Sequence, residues 1–233
     1  GRTIPFTIGY ADLYFYPGGI GIFAVRTSID GSPSFADLAD FLFGMRSPQS
    51  TVLCGNRSVQ VRELVTEYIL APAAPALSAD PFGEGAANSK LKSFCVAESD
   101  FDVRGDEGMS FERDLLFELG TTAPIGTIRR DDDYAPAPEY FSRIMDEQRM
   151  AFFRNWSALA LFDTFTVLIN KKQEGAYTTF RNFETSYFPI YMNSLFLKYA
   201  LYAANNVLAV SPPASKRSRK TRDWYVDVSN RYY

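Results

Sequence analysis

The chain contains no histidine and only two cysteines, Cys54 and Cys95. Without histidine there is no Ser-His-Asp or Cys-His catalytic site, no histidine-ligated metal and no imidazole pH switch. Two cysteines are too few for a Cys₄ zinc site or a disulfide-rich scaffold. No run of about 18 uncharged apolar residues occurs, so the sequence predicts no transmembrane helix. The amino end, Arg2-Thr3-Ile4-Pro5, lacks the long apolar run of a secretory signal.

What the chain does have is apolar mass. Its 233 residues are 46% hydrophobic and 15% aromatic, with 20 Phe and 14 Tyr, enough for a real core. The net charge of −3 is unevenly spread. Residues 1–100 carry −3, residues 101–150 carry −6 and residues 151–233 carry +6. Such asymmetry suggests oriented electrostatic contacts, between copies of the chain or with a partner.

Periodicity gives the expected elements. Leu13 to Phe15 and Ile20 to Val25 flank Pro17-Gly18-Gly19, which reads as a β-hairpin. Apolar residues on both faces of its second strand predict a sheet covered on both sides. Ser34 and Asp37 form a capping-box pair ahead of Phe35, Leu38, Leu42 and Met45 at helical spacing. Thr51 to Cys54 reads as a strand, and Ser58 as the cap of a second helix with a Val61, Leu64, Val65, Tyr68, Ile69 stripe. Residues 71–90 read as a low-complexity loop and Leu91 to Ala97 as a strand. Helices are expected from Ser110 to Gly120 and from Pro138, then a meander of short strands over 150–169. Residues 178–210 form the strongest helical pattern, with Pro189 expected to kink it and Ser211-Pro212-Pro213 ending it. The predicted fold class is α/β (α+β): a mixed sheet covered by helices on both faces, with a long C-terminal helix. The expected organisation is one α/β domain over 1–210, then a basic linker and the start of a further helical element over 211–233.

Three features are candidates for chemistry. Gly19-Ile20-Gly21-Ile22-Phe23-Ala24 matches G-x-G-x-x-A, but its glycines sit in a strand-like run and no helix follows, so it reads as hairpin and strand packing. The stretch Glu98 to Glu147 holds 14 Asp+Glu against 5 Lys+Arg. Within it, Asp100, Asp102, Asp106 and Glu107 are the candidate ligands of a weakly bound, partly hydrated Mg²⁺ or other divalent cation, because hard cations prefer carboxylate oxygens. Phe111 stands where an EF-hand needs its last Glu, so that loop type is excluded. Lys216, Arg217, Arg219, Lys220 and Arg222 are the candidate partner-binding residues, followed directly by Trp224 and Tyr225. Counterion release from such a run favours an acidic partner or nucleic acid, but sequence readout needs more than charge.

Over the last hundred residues a family resemblance emerges. It rests on Asn155-Trp156-Ser157 and the Leu159–Leu168 meander. It continues through Tyr187-Phe188-Pro189-Ile190-Tyr191, Leu195, Lys198 and Leu201 to Asn230-Arg231-Tyr232. With the Phe15…Gly19-Ile20-Gly21-Ile22 hairpin, this order resembles the cytoplasmic region of bacterial CorA-like divalent-cation (Mg²⁺) transporters. The resemblance implies an α/β/α domain, a homo-oligomer (a pentamer in the family), cation sensing by carboxylates at subunit interfaces, and a cytoplasmic location beside the membrane part of the same protein. The chain lacks the family's Gly-Met-Asn pore segment and both membrane helices, so it reads as a piece cut before its membrane anchor or as a homologue without transport.

The expectation is therefore a non-enzymatic cytoplasmic domain, a cation-sensing and oligomerisation module without a pore. The alternative is a stand-alone scaffold that uses its basic tail on a protein or nucleic-acid partner, with nucleic acid the weaker of the two. No paired acid and base stands out, and no catalytic or cofactor-binding residue is assigned.

Overall fold

A computed structural model describes residues 3–76, 91–99, 106–153, 155–161, 163–171 and 180–232. The chain forms two compact units: residues 1–7 with 29–180, and residues 8–28 with 181–233. The unit boundaries fall inside the first hairpin and after Phe180. The fold is α+β with a mixed sheet and a long C-terminal helix.

The larger unit begins with helix α1 (Phe35–Met45). The Ser34 side chain accepts from the Asp37 N–H at 3.2 Å, and the Asp37 carboxylate accepts from the Ser34 N–H at 2.9 Å. This capping box satisfies two of the helix's orphan donors. The next segment departs from expectation. Strand β3 (Thr51–Cys54) pairs antiparallel with β4 (Arg57–Gln60), so Ser58 lies in a strand and caps nothing. Gly55, at φ +60°, supplies the positive φ that the tight turn requires. The short α2 (Val61–Glu63) follows and widens into a π turn over Leu64–Ile69. That widening accompanies the loss of the clean stripe: Val61, Leu64 and Val65 are buried, while Tyr68 is exposed.

The central sheet has the order β5 (Ser93–Ser99), β8 (Thr164–Asn170), β7 (Trp156–Ala160), β6 (Arg149–Phe153). β5 and β8 are parallel, with Cys95 opposite Thr166; the other pairs are antiparallel. Val167, Leu168 and Ile169 are all buried, so both faces of β8 are covered. Helix α3 (Asp106–Thr121) lays Leu115, Leu116 and Leu119 against Leu159, Leu168 and Cys95. Each fully buried leucine stabilises the unit by about 1.5–3 kcal/mol. The helix lies close: a Cβ on Gly120 would come within 2.9 Å of Leu159 Cδ2. Glu118 is buried too, and its Oε1 accepts from the Ile128 N–H at 3.0 Å. Helix α4 (Pro138–Gln148) opens on its proline, as expected, and brings Met145 to the same core.

The smaller unit joins the two ends of the chain. Strands β1 (Phe6–Tyr16) and β2 (Ile20–Ile29) form their own two-stranded sheet. The sequence predicts a sheet covered on both faces around β2; β2 instead pairs with β1 in this separate sheet, where Thr7–Asp12 of β1 are exposed. Helix α5 (Phe180–Asn182) runs through a π turn (Phe183–Tyr187) into α6 (Phe188–Val210). Where a kink is expected at Pro189, a π turn precedes it: Phe188 N–H bonds back to the Phe183 carbonyl, one residue further than in an α-helix. The insertion precedes the residue that has no N–H to donate and whose ring would crowd the preceding turn. Helix α7 (Lys216–Tyr232) packs with α6 around Phe196, Ala200 and Val228, joined by Tyr16, Ile20 and Trp224. Tyr16 stacks on Phe196, with ring centroids 4.3 Å apart.

Candidate interaction surfaces

The candidate cation ligands are not brought together by anything the structure describes. Asp100 and Asp102 lie outside the described residues, as do the side chains of Asp106 and Glu107, whose backbone starts α3. Among the described residues no group of three or more Cys, Asp or Glu is placed to hold a metal ion. The G-x-G-x-x-A segment lies in the hairpin turn and β2, with no helix amino end after it.

The basic run has a definite structure. Residues read as a linker form the first two turns of α7. Ser215 caps the helix: its carbonyl accepts from the Arg219 N–H at 3.1 Å and its Oγ from the Ser218 N–H at 3.1 Å. Ser218 is buried and donates to the Pro212 carbonyl at 2.8 Å, which locks the helix entry. With 3.6 residues per turn, Ser218, Thr221, Tyr225 and Val228 face inward, and Lys216, Arg219 and Lys220 fall on the opposite side. All five basic residues are exposed. Within the smaller unit, Lys216, Arg217, Arg219 and Lys220 form no ion pair with any described residue, and Arg222 pairs with the adjacent Asp223, at 3.9 Å.

This placement works against the helix. The amino end of a helix is the positive pole of its dipole, and cations there cost about 0.3–1 kcal/mol each at low salt. The first turn of α7 contains no acidic residue to offset them. The fold tolerates this cost because Ser215, Ser218 and the Trp224 packing hold the helix in place. The anchor is tight: a Cβ on Gly18 would lie 2.3 Å from Trp224 Cζ2.

The larger unit carries the opposite charge. It holds 15 Lys+Arg and 23 Asp+Glu, net −8, against 9 and 4, net +5, in the smaller unit. Part of the excess lies on an exposed edge formed by Asp131, Asp132 and Asp133 and the first turn of α4, with Glu139. Asp132 pairs with Arg130 at 2.6 Å and accepts from the Tyr134 N–H at 3.1 Å. Within the larger unit, Asp131, Asp133 and Glu139 form no ion pair with any described residue. Glu139 follows the aspartate run by six residues, in the first turn of α4.

A third surface lies on α6. Its buried row is Met192, Leu195, Phe196, Ala200 and Ala204, while Ile190, Leu201 and Leu208 are exposed on another side. The aromatic helix read as core is therefore core along one row only. Within the same unit, Arg26 pairs with Glu184 and lies 5.7 Å over the Tyr10 ring. Partial burial, with Glu184 beside it, raises the Tyr10 phenol above its ordinary value. Both cysteines are free; Cys54 is half-buried, and full burial pushes the Cys95 thiol up to about 12.

No family model, curated protein or solved structure matches the chain. Among the described residues, no helix is long and apolar enough to cross a membrane.

Proposed function

We propose that the chain is a non-enzymatic assembly module of the CorA-like kind, which associates with copies of itself in response to divalent cations at the cytoplasmic face of a membrane. The observation that carries this reading is the charge partition between its two units, −8 against +5. A copy that bears both signs on separate units attracts its neighbours in some orientations and repels them in others. The exposed apolar row on α6 adds surface that association can bury. A divalent cation such as Mg²⁺ enters where acidic surfaces of two copies meet, since it lowers their repulsion; this needs no complete ligand set within one chain. The scaffold alternative shares the basic helix but lacks any need for Mg²⁺.

Sedimentation velocity of the full chain in millimolar Mg²⁺ and in EDTA tests the reading. The expected result is a heavier species in Mg²⁺ that reverts in EDTA. A monomer of unchanged sedimentation coefficient in both buffers removes it.

A further inference from the structure

We infer that the exposed basic face at the start of α7 docks on the acidic Asp131–Glu139 edge of a second copy of the same chain. This rests on the self-association proposed above and adds to its cation-bridged acidic contacts one between opposite charges. Two observations carry it. Lys216, Arg219 and Lys220 share one solvent-facing side of α7 and have no carboxylate partner among the described residues of the smaller unit, while Asp131, Asp133 and Glu139 have no basic one among those of the larger. These three cations and Arg217 also sit at the helix pole that disfavours them, and a local arrangement that works against its own helix marks a site selected for something outside it. An anionic partner removes that penalty, and the acidic edge belongs to a unit with eight excess negative charges.

The contact is heterologous. The basic face of one copy meets the acidic edge of another and leaves that second copy's basic face free. Such contacts close into rings or extend into chains, according to the rotation between neighbours. Docking through exposed charges is weakened by salt, because the Debye length falls from about 10 Å at 0.1 M to about 3 Å at 1 M.

The test is a charge exchange in the full chain, read by sedimentation and by binding between separately labelled variants. One variant carries Lys216→Glu and Lys220→Glu, the other Asp131→Lys and Asp133→Lys. Glutamates at the start of α7 suit the helix dipole, so the first variant keeps its helix, as far-UV circular dichroism checks. Each variant alone is expected to self-associate at least about tenfold more weakly than the wild type, and an equimolar mixture to recover a complex of one of each. If the wild type associates but neither variant weakens, or the mixture recovers nothing, this contact is wrong and the assembly reading stands. If the wild type is monomeric in both Mg²⁺ and EDTA, both fall. Retention of single-stranded nucleic acid by a monomeric wild type, lost with Lys216→Glu and Lys220→Glu, overturns the contact in favour of a polyanion partner.

Discussion

The Gly18 turn offers a sharp test of how the smaller unit is held together. Gly18 and Gly19 both lie in the left-handed region, at φ +84° and +78°. An alanine at either position carries the backbone strain of an L-residue there, about 1–2 kcal/mol. Only at Gly18 does the new methyl also meet an obstacle. Its Cβ lies 2.3 Å from Trp224 Cζ2 and 2.9 Å from Cε2, whereas nothing lies within 4 Å of a Cβ on Gly19. Forcing the indole aside adds an overpacking cost of about 1–3 kcal/mol. Gly18→Ala is therefore expected to destabilise the smaller unit by about 2–5 kcal/mol and Gly19→Ala by about 1–2 kcal/mol. The assay is urea unfolding followed by Trp224 fluorescence in a Trp156→Phe background, since the two tryptophans fall one in each unit. A double-mutant cycle with Trp224→Leu, read by circular dichroism, isolates the clash: the excess cost of Gly18→Ala should vanish. Equal costs for the two alanines, or an excess that survives the loss of Trp224, would refute the packing argument.

Two further predictions concern the larger unit. The Cys95 thiol is raised to about 12 in the fold, against an ordinary value of 9.0. A raised acid contributes stability that is present in full below pH 9 and is lost as pH rises from 9 towards 12. Cys95→Ala should flatten the alkaline fall of the urea midpoint, and at pH 8 a thiol reagent should modify Cys54 quickly and Cys95 only on unfolding. The Tyr10 and Tyr14 phenols, raised chiefly by burial, act in the same direction in both proteins and cancel in the difference. Glu118→Ala leaves the Ile128 N–H without its acceptor and should cost about 1–3 kcal/mol in thermal or urea unfolding, whereas Glu118→Gln, which keeps an oxygen there, should cost less.

Much of the local structure was legible because local chemistry decided it. Ser34 and Asp37 specify a capping box whatever surrounds them, Pro138 suits the first turn of a helix, and the aromatic, threonine-rich run after Arg149 becomes β6, β7 and β8. Structure and expectation differ where two local rules compete. Ser58 is a good cap, but Gly55-Asn56 before it is a better turn, and Arg57–Gln60 pairs with β3 instead of starting a helix. The basic run looked like linker because charge usually means solvent; Lys and Arg are also good helix formers, and Ser215 supplies the cap. Long-range pairing was beyond periodicity altogether. Nothing in Ser93–Ser99 says that its parallel partner is Thr164–Asn170, nor that residues 8–28 group with 181–233. The acidic and basic runs are each visible as residue types, but only the phase of α7 shows which basic residues share its exposed side.

The discontinuous smaller unit has a consequence for how the chain is made. Synthesis delivers residues 8–28 first and the segment that completes their unit, from Arg181 on, last. The hairpin emerges with Ile20 and Ile22 wanting a partner, while Phe196 and Trp224 have yet to be translated. Closing so long a loop costs entropy that grows only logarithmically with its length. Until then the waiting strands are an open edge in a crowded ribosomal neighbourhood. Chaperone dependence of this protein should therefore track the time between the birth of its second strand and that of its last helix.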